Sequence, residues 1–142
     1  MDAFYADVLI YAAVPEHALG RRVRALFVTE VPETSGVALG VGSVLLIPEL
    51  LSKPLRDREE DELAALGALL GRLDLLPMDQ STAELAAALG STYRLRAADA
   101  VHLATAVGAG ADRFITNNRA DFPKLITEID VTYPDELADP DD

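Results

Sequence analysis

Three carboxylates in this sequence share one kind of placement. Asp7 ends a short apolar run, residues 3–6. Glu49 follows a second apolar stretch at the start of a helix. Asp99 heads the alanine-rich helical run "LRAADAVHLATA". If such positions converge at one edge of a sheet, the charges repel, and leaving them unpaired is costly. A divalent cation relieves the repulsion. Mg²⁺ or Mn²⁺ prefers oxygen ligands, and Mg²⁺ takes one or two carboxylates together with waters and substrate phosphates. An ion of this kind can activate water against a phosphodiester. A helix N-terminus also keeps a carboxylate ionised and ready to ligate. Each acid alone has an ordinary explanation as a helix-start residue, and with 24 acids in the chain some fall there by chance. The case rests on the set.

Other chemistry finds less support. His102 lies three residues after Asp99, on the same helical face. The one other histidine, His17, is far away in sequence, so His102 reads as a packing or supporting residue rather than a zinc ligand. No Ser–His–Asp arrangement stands out, and "GVALGVG" lacks the lysine of a phosphate-binding loop. Thr116 and Asn117, at the end of "RFITNN", could hydrogen-bond a metal-bound water, Asp7 or a scissile phosphate; they could equally form a strand-end turn.

The elements that must position these groups follow from periodicity and punctuation. Residues 3–6 read as a first strand, residues 8–13 as a helix, and residues 17–28 as a second helix after Pro15. "PETSG", at 32–36, reads as a loop. Residues 37–47 read as a buried strand running to Pro48, which opens the helix that carries Glu49. Asp57 is expected to cap the helix "REEDELAALGALLGRL", with Leu63, Leu66, Leu70 and Leu73 at helical spacing. "LDLLPM" reads as a strand. "STAE", from Ser81, has the spacing of a capping box and opens a further helix. The Asp99 helix, the strand "RFIT" and a last short strand at 129–131 complete the series. Strands alternate with helices, so the class is α/β with a mostly parallel central sheet. Residues 1–134 form one domain, and the acidic segment 135–142 is expected to be a disordered tail.

Composition bounds the function. The 142 residues, 50% hydrophobic, suffice for one domain with a real core. There are no cysteines, which excludes disulfides and cysteine-based zinc sites and fits a reducing compartment. No apolar run approaches a membrane span, and the N-terminus has no basic region of the secretory kind, so a cytoplasmic protein is expected. The net charge of −12 argues against a protein that coats nucleic acid. It leaves room for an enzyme whose metal and local cations face the phosphates. Arg21, Arg22 and Arg24, then Lys53 and Arg56, then Arg94 and Arg96, are the cations available. Lys53, Arg56 and Arg96 lie nearest the acids in sequence and are the RNA-binding candidates.

"FYADVLIYAA", "SVLLIPELL", "LRAADAVHLATA" and "RFITNNRADF", in this order, resemble the motifs of PIN-domain ribonucleases, above all the VapC-type toxins of toxin–antitoxin pairs. The resemblance runs from Ala3 to about Phe122. It implies a three-layer α/β/α fold with a mostly parallel central sheet. It also implies Mg²⁺- or Mn²⁺-dependent cleavage of RNA, with Asp7, Glu49 and Asp99 as catalytic, metal-binding carboxylates. Thr116, Asn117, Asn118 and Asp121 would support the site. A small antitoxin would be the partner. A homodimer would form through a hydrophobic surface helix, either residues 63–73 or the first two helices, although core burial explains the same leucines.

The sequence departs from the family pattern in two places. Asp7 abuts Val8, where the family usually has two further residues before the helix. Asn118 stands where many relatives have a fourth Asp. The shortened first motif supports an alternative reading, a degenerate PIN domain that keeps only a binding role. A phosphoacceptor receiver domain would need a lysine after a late strand, and Lys124 lies beyond any such strand.

Overall fold

The computed structural model describes residues 1–28 and 36–141. Strand β1 spans Asp2–Phe4 and is followed by α1 (Ala6–Ala13) and α2 (Ala18–Phe27). Strand β2 (Gly40–Ser43) leads into α3 (Leu46–Arg56) and α4 (Glu60–Leu70). Strand β3 (Leu73–Leu76) precedes α5 (Gln80–Tyr93) and α6 (Ala97–Gly108). Strands β4 (Arg113–Ile115) and β5 (Asp130–Thr132) follow, then a 3-10 turn at Pro134–Glu136.

The five strands form one sheet in the order β3-β2-β1-β4-β5, and every pairing is parallel. Alternation along the short strands divides the core. Ala3, Val41, Phe114 and Val131 face α5 and α6, together with Phe122 and Ile126. Phe4 and Ile115 point the other way, against Val8 and Leu9 of α1, Val23 of α2, Leu46 of α3 and Leu66 of α4. The result is the expected three-layer α/β/α arrangement. From β1 the chain moves outward to β2 and β3, then crosses back to β4 on the other side of β1. Neighbouring connections therefore leave the sheet in opposite directions between β1 and β4, where a crevice forms outside the carboxyl ends of the strands.

Two charged side chains pin that central pair. Both guanidinium nitrogens of Arg113 that face Asp2 donate to its carboxylate at 2.9 Å. Asp2 and Arg113 are also Cα partners in the ladder. On the opposite layer α2 lies so close to α1 that a Cβ on Gly20 would stand 2.0 Å from the carbonyl oxygen of Tyr11. Arg24 of α2 donates to the carbonyls of Ala12, Val14 and Pro15, which the end of α1 leaves without helical partners.

Several boundaries differ from the sequence expectations. The first strand stops at Phe4, and Asp7 sits in the first turn of α1 rather than at the strand's end. The expected strand over 37–47 shrinks to four buried residues; Val37 is exposed and the chain turns into α3 at Leu46, so Pro48 is the third residue of that helix. Asp57 ends α3 instead of capping α4. Asp79, not Ser81, caps α5, because its carboxylate accepts from the Thr82 N–H at 2.8 Å. The loop expected at 32–36 lies outside the described residues apart from Gly36.

The acidic segment after residue 134 is laid against α2 as far as residue 141. Leu137 is buried in the core on the α1–α4 side. Arg22 donates to the Leu137 carbonyl at 2.7 Å and pairs with Asp139, while Arg21 pairs with Asp141. The acids themselves stay largely at the surface, while one apolar anchor and two arginines hold the segment against α2. Among the described residues no helix is long and apolar enough to cross a membrane.

Candidate active site

Tyr5 stands at the tip of β1. Its N–H donates to the carbonyl of Ile115 at 3.0 Å, which extends the β1–β4 ladder by one step, and its extended backbone then caps α1. The side chain crosses to the α6 layer. There its ring packs against Phe122 at 5.0 Å, Phe114 at 6.1 Å and His102 at 5.2 Å, measured between centroids. Its hydroxyl donates to Oδ1 of Asp99 at 2.5 Å. Asp99 is buried, in the first turn of α6, as the helical reading of that stretch requires.

His102, one helical turn further along α6, is fully buried and bonds Oε1 of Glu49 through Nε2. A carboxylate can only accept, so the hydrogen of this bond belongs to Nε2. The other ring nitrogen, Nδ1, has no partner. Glu49 projects from the first turn of α3 and is about one-third exposed. The histidine read from sequence as a supporting residue thus holds one of the three acids.

Asp7 is held separately. Oδ1 accepts from the Val8 N–H at 2.8 Å, and Oδ2 from the Asn117 N–H at 2.9 Å. The Thr116 hydroxyl lies 3.4 Å from both oxygens. Burial pushes the Asp7 carboxyl above the usual carboxylate range, against the downward pull of the Asn117 and Val8 N–H groups and the Thr116 hydroxyl. Both readings of Thr116 and Asn117 are met: they hydrogen-bond Asp7, and they also form the strand-end turn, with the Thr116 hydroxyl accepting from the Asn118 N–H at 3.1 Å and the Asn117 carbonyl from the Arg119 N–H at 3.0 Å. Asn118 and Asp121 close on each other: the Asn118 amide donates to Asp121 at 2.9 Å, and the Asp121 N–H donates back at 3.1 Å. That loop delivers Phe122 into the core beneath Tyr5.

Asp99 is the acid that Tyr5 touches. The Tyr5 phenol is held above its ordinary pKa by burial first, then by its bond to Asp99 and by the negative charges of Asp99, Glu49 and Asp7. The phenol therefore stays protonated and acts as a donor. Lys53, Arg56 and Arg96 are all exposed; Arg56 pairs with Asp57 at 3.2 Å, and Arg96 precedes α6 at its N-cap. Arg21, Arg22 and Arg24 are engaged with the C-terminal segment and the end of α1, as described above, rather than lining an open groove.

The donors are hard oxygens of the kind that Mg²⁺ or Mn²⁺ takes. Their placement does not suit such an ion. Each carboxylate has an internal hydrogen-bond partner, and among the described residues no three His, Asp or Glu side chains stand together so as to hold a metal ion. The sequence pattern missed Tyr5. Its signal was an aromatic residue standing alone between the end of β1 and the start of α1, two positions before Asp7.

The PIN domain is the family whose sequence profile matches, over residues 6–126. No curated protein matches the chain. Among solved structures, the fold is similar to a toxin–antitoxin complex from Klebsiella pneumoniae, with a TM-score of 0.71 and 23% identity over 94% of this chain and 98% of that one. It is similar to VapBC2 from Rickettsia felis bound to a DNA fragment from their promoter, at 0.69 and 15% over 93% and 97%. FitAcB from Neisseria gonorrhoeae gives 0.61 and 22% over 96% and 100%. At these identities the likeness is one of fold.

Proposed function

The chain belongs to the PIN-domain family, and from that premise we propose that it is a toxin-type endoribonuclease, dependent on Mg²⁺ or Mn²⁺ and restrained by a small antitoxin. One observation carries this reading. Glu49 in the first turn of α3 and Asp99 in the first turn of α6 are held by two touching rings, those of His102 and Tyr5, and Asp7 in the first turn of α1 lies two residues after Tyr5. Acids at the starts of three helices beside one end of the sheet repel one another, a cost that stability alone gives little reason to keep.

In this reading Asp7, Glu49 and Asp99 are the metal-binding acids. Thr116 and Asn117 hold Asp7 in place, and Asn118 with Asp121 fixes the neighbouring loop. Lys53, Arg56 and Arg96 offer charge to the RNA backbone, which an overall net charge of −12 would otherwise repel. Among the described residues the acids as placed do not surround a cation. The partners of the structurally similar proteins support an antitoxin as the partner here, and a homodimer in the cytoplasm is the accompanying proposal.

A second reading is favoured by the Tyr5–Asp99 bond: a PIN domain that no longer cleaves and acts by binding alone. RNA cleavage measured with Mn²⁺ and with EDTA, on the native chain and on Asp99→Asn, separates the two. The nuclease reading expects cleavage that needs the metal and disappears with the substitution. Cleavage that persists in EDTA and in Asp99→Asn sinks it, and no cleavage under any condition favours the binding role.

A further inference from the structure

Each of the three acids is met by hydrogen-bond donors of the protein itself. Tyr5 serves Asp99, His102 serves Glu49, and the Asn117 and Val8 amides serve Asp7. Two of these donors form one unit, because the Tyr5 ring stands edge-on to the His102 ring. Tyr5 is wedged further by Phe114 and Phe122, so its phenol is seated and not a surface side chain resting by chance. A protonated phenol at this point supplies a hydrogen where a cation would need a lone pair.

We infer that Tyr5 is what makes the acidic site unfit for a divalent cation: its hydroxyl occupies the Asp99 oxygen that would otherwise be offered to one. This rests on reading the acids as metal ligands. Tyr5 is in this sense a positioning residue. It decides whether Asp99 is available, and through His102 it is tied to the placement of Glu49. A single residue links β1 to α1, so Tyr5 stands at the strand tip, where its N–H continues the ladder with β4 and its side chain crosses to α6.

The test is titration of the full chain with MnCl₂, followed by calorimetry and by the electron paramagnetic resonance of free Mn²⁺. Tyr5→Ser is expected to tighten binding about ten-fold or more, the factor that corresponds to freeing a carboxylate from one hydrogen bond. Adding Asp99→Asn should remove the gain. Tyr5→Phe keeps the packed ring and removes only the hydroxyl, so it covers the case in which Tyr5→Ser fails to fold, and it should shift affinity in the same direction. Native protein that binds Mn²⁺ as tightly as both variants overturns this role of Tyr5 while leaving the nuclease reading standing. Folded variants that gain no affinity overturn it as well. Variants that gain Mn²⁺ but cut no RNA leave the role of Tyr5 standing and sink the nuclease reading.

Discussion

Tyr5 and Asp99, 94 positions apart in sequence, meet through a hydroxyl-to-carboxylate hydrogen bond of 2.5 Å. The bond joins the tip of the central strand to the head of α6 and ties the two layers together at the acidic end of the sheet. A buried carboxylate that loses its donor is left with a desolvated charge. In the absence of metal, Tyr5→Phe should therefore destabilise the fold, and a double-mutant cycle with Asp99→Asn should give a coupling of about 1.5–3 kcal/mol, the range for hydrogen bonds to charged groups. Urea denaturation of the four proteins measures it; a coupling near zero would mean that the bond does not form in solution.

The His102 ring offers a spectroscopic check. Nε2 faces Glu49 and Nδ1 is buried without a partner. A buried lone pair costs less than a buried N–H with nowhere to donate. Long-range ¹H–¹⁵N correlation should show the hydrogen on Nε2 in the native chain. In Glu49→Leu that preference should weaken, since nothing remains to accept it.

Gly20 is required by the distance between α1 and α2. A methyl group there would overlap the Tyr11 carbonyl, which is backbone and cannot rotate away. Gly20→Ala gains helix propensity and still should lose about 1–3 kcal/mol or more through overpacking. A thermal melt of the variant above that of the native chain would contradict the close approach.

The cap of α5 predicts a pH dependence. The Thr82 N–H, then the Thr82 hydroxyl, hold the Asp79 carboxyl below the usual carboxylate range. A depressed folded value means that the stabilisation is present above the unfolded value and is lost as the pH falls through the folded one. Asp79→Ala should therefore melt below the native chain at pH 7, and the gap should shrink below about pH 4. An equal gap at both pH values would show that the charge of Asp79 contributes nothing.

Much of this architecture was open to reading from local pattern. The α6 helix, the strand "RFIT" and the helix carrying Glu49 declare themselves within a few residues, because helical spacing and turn residues act over one or two turns. The alternation of strands and helices is enough for a parallel sheet. What misled was placement over one or two residues: the helix expected to open at Ser81 is capped two residues earlier by Asp79, and Asp7, expected at a strand's end, lies in the first turn of α1.

Sequence alone determined the class, the order of elements and the helix-start placement of Glu49 and Asp99. Tertiary structure decided who reaches the acidic centre. The end of β1 is set by its ladder with β4, pinned by Asp2 and Arg113 111 positions apart. No local rule states where that register stops. Once it stops after Phe4, the parity of the strand and the short link to α1 send Tyr5 inward to Asp99 and leave Asp7 to the amides of the β4 loop.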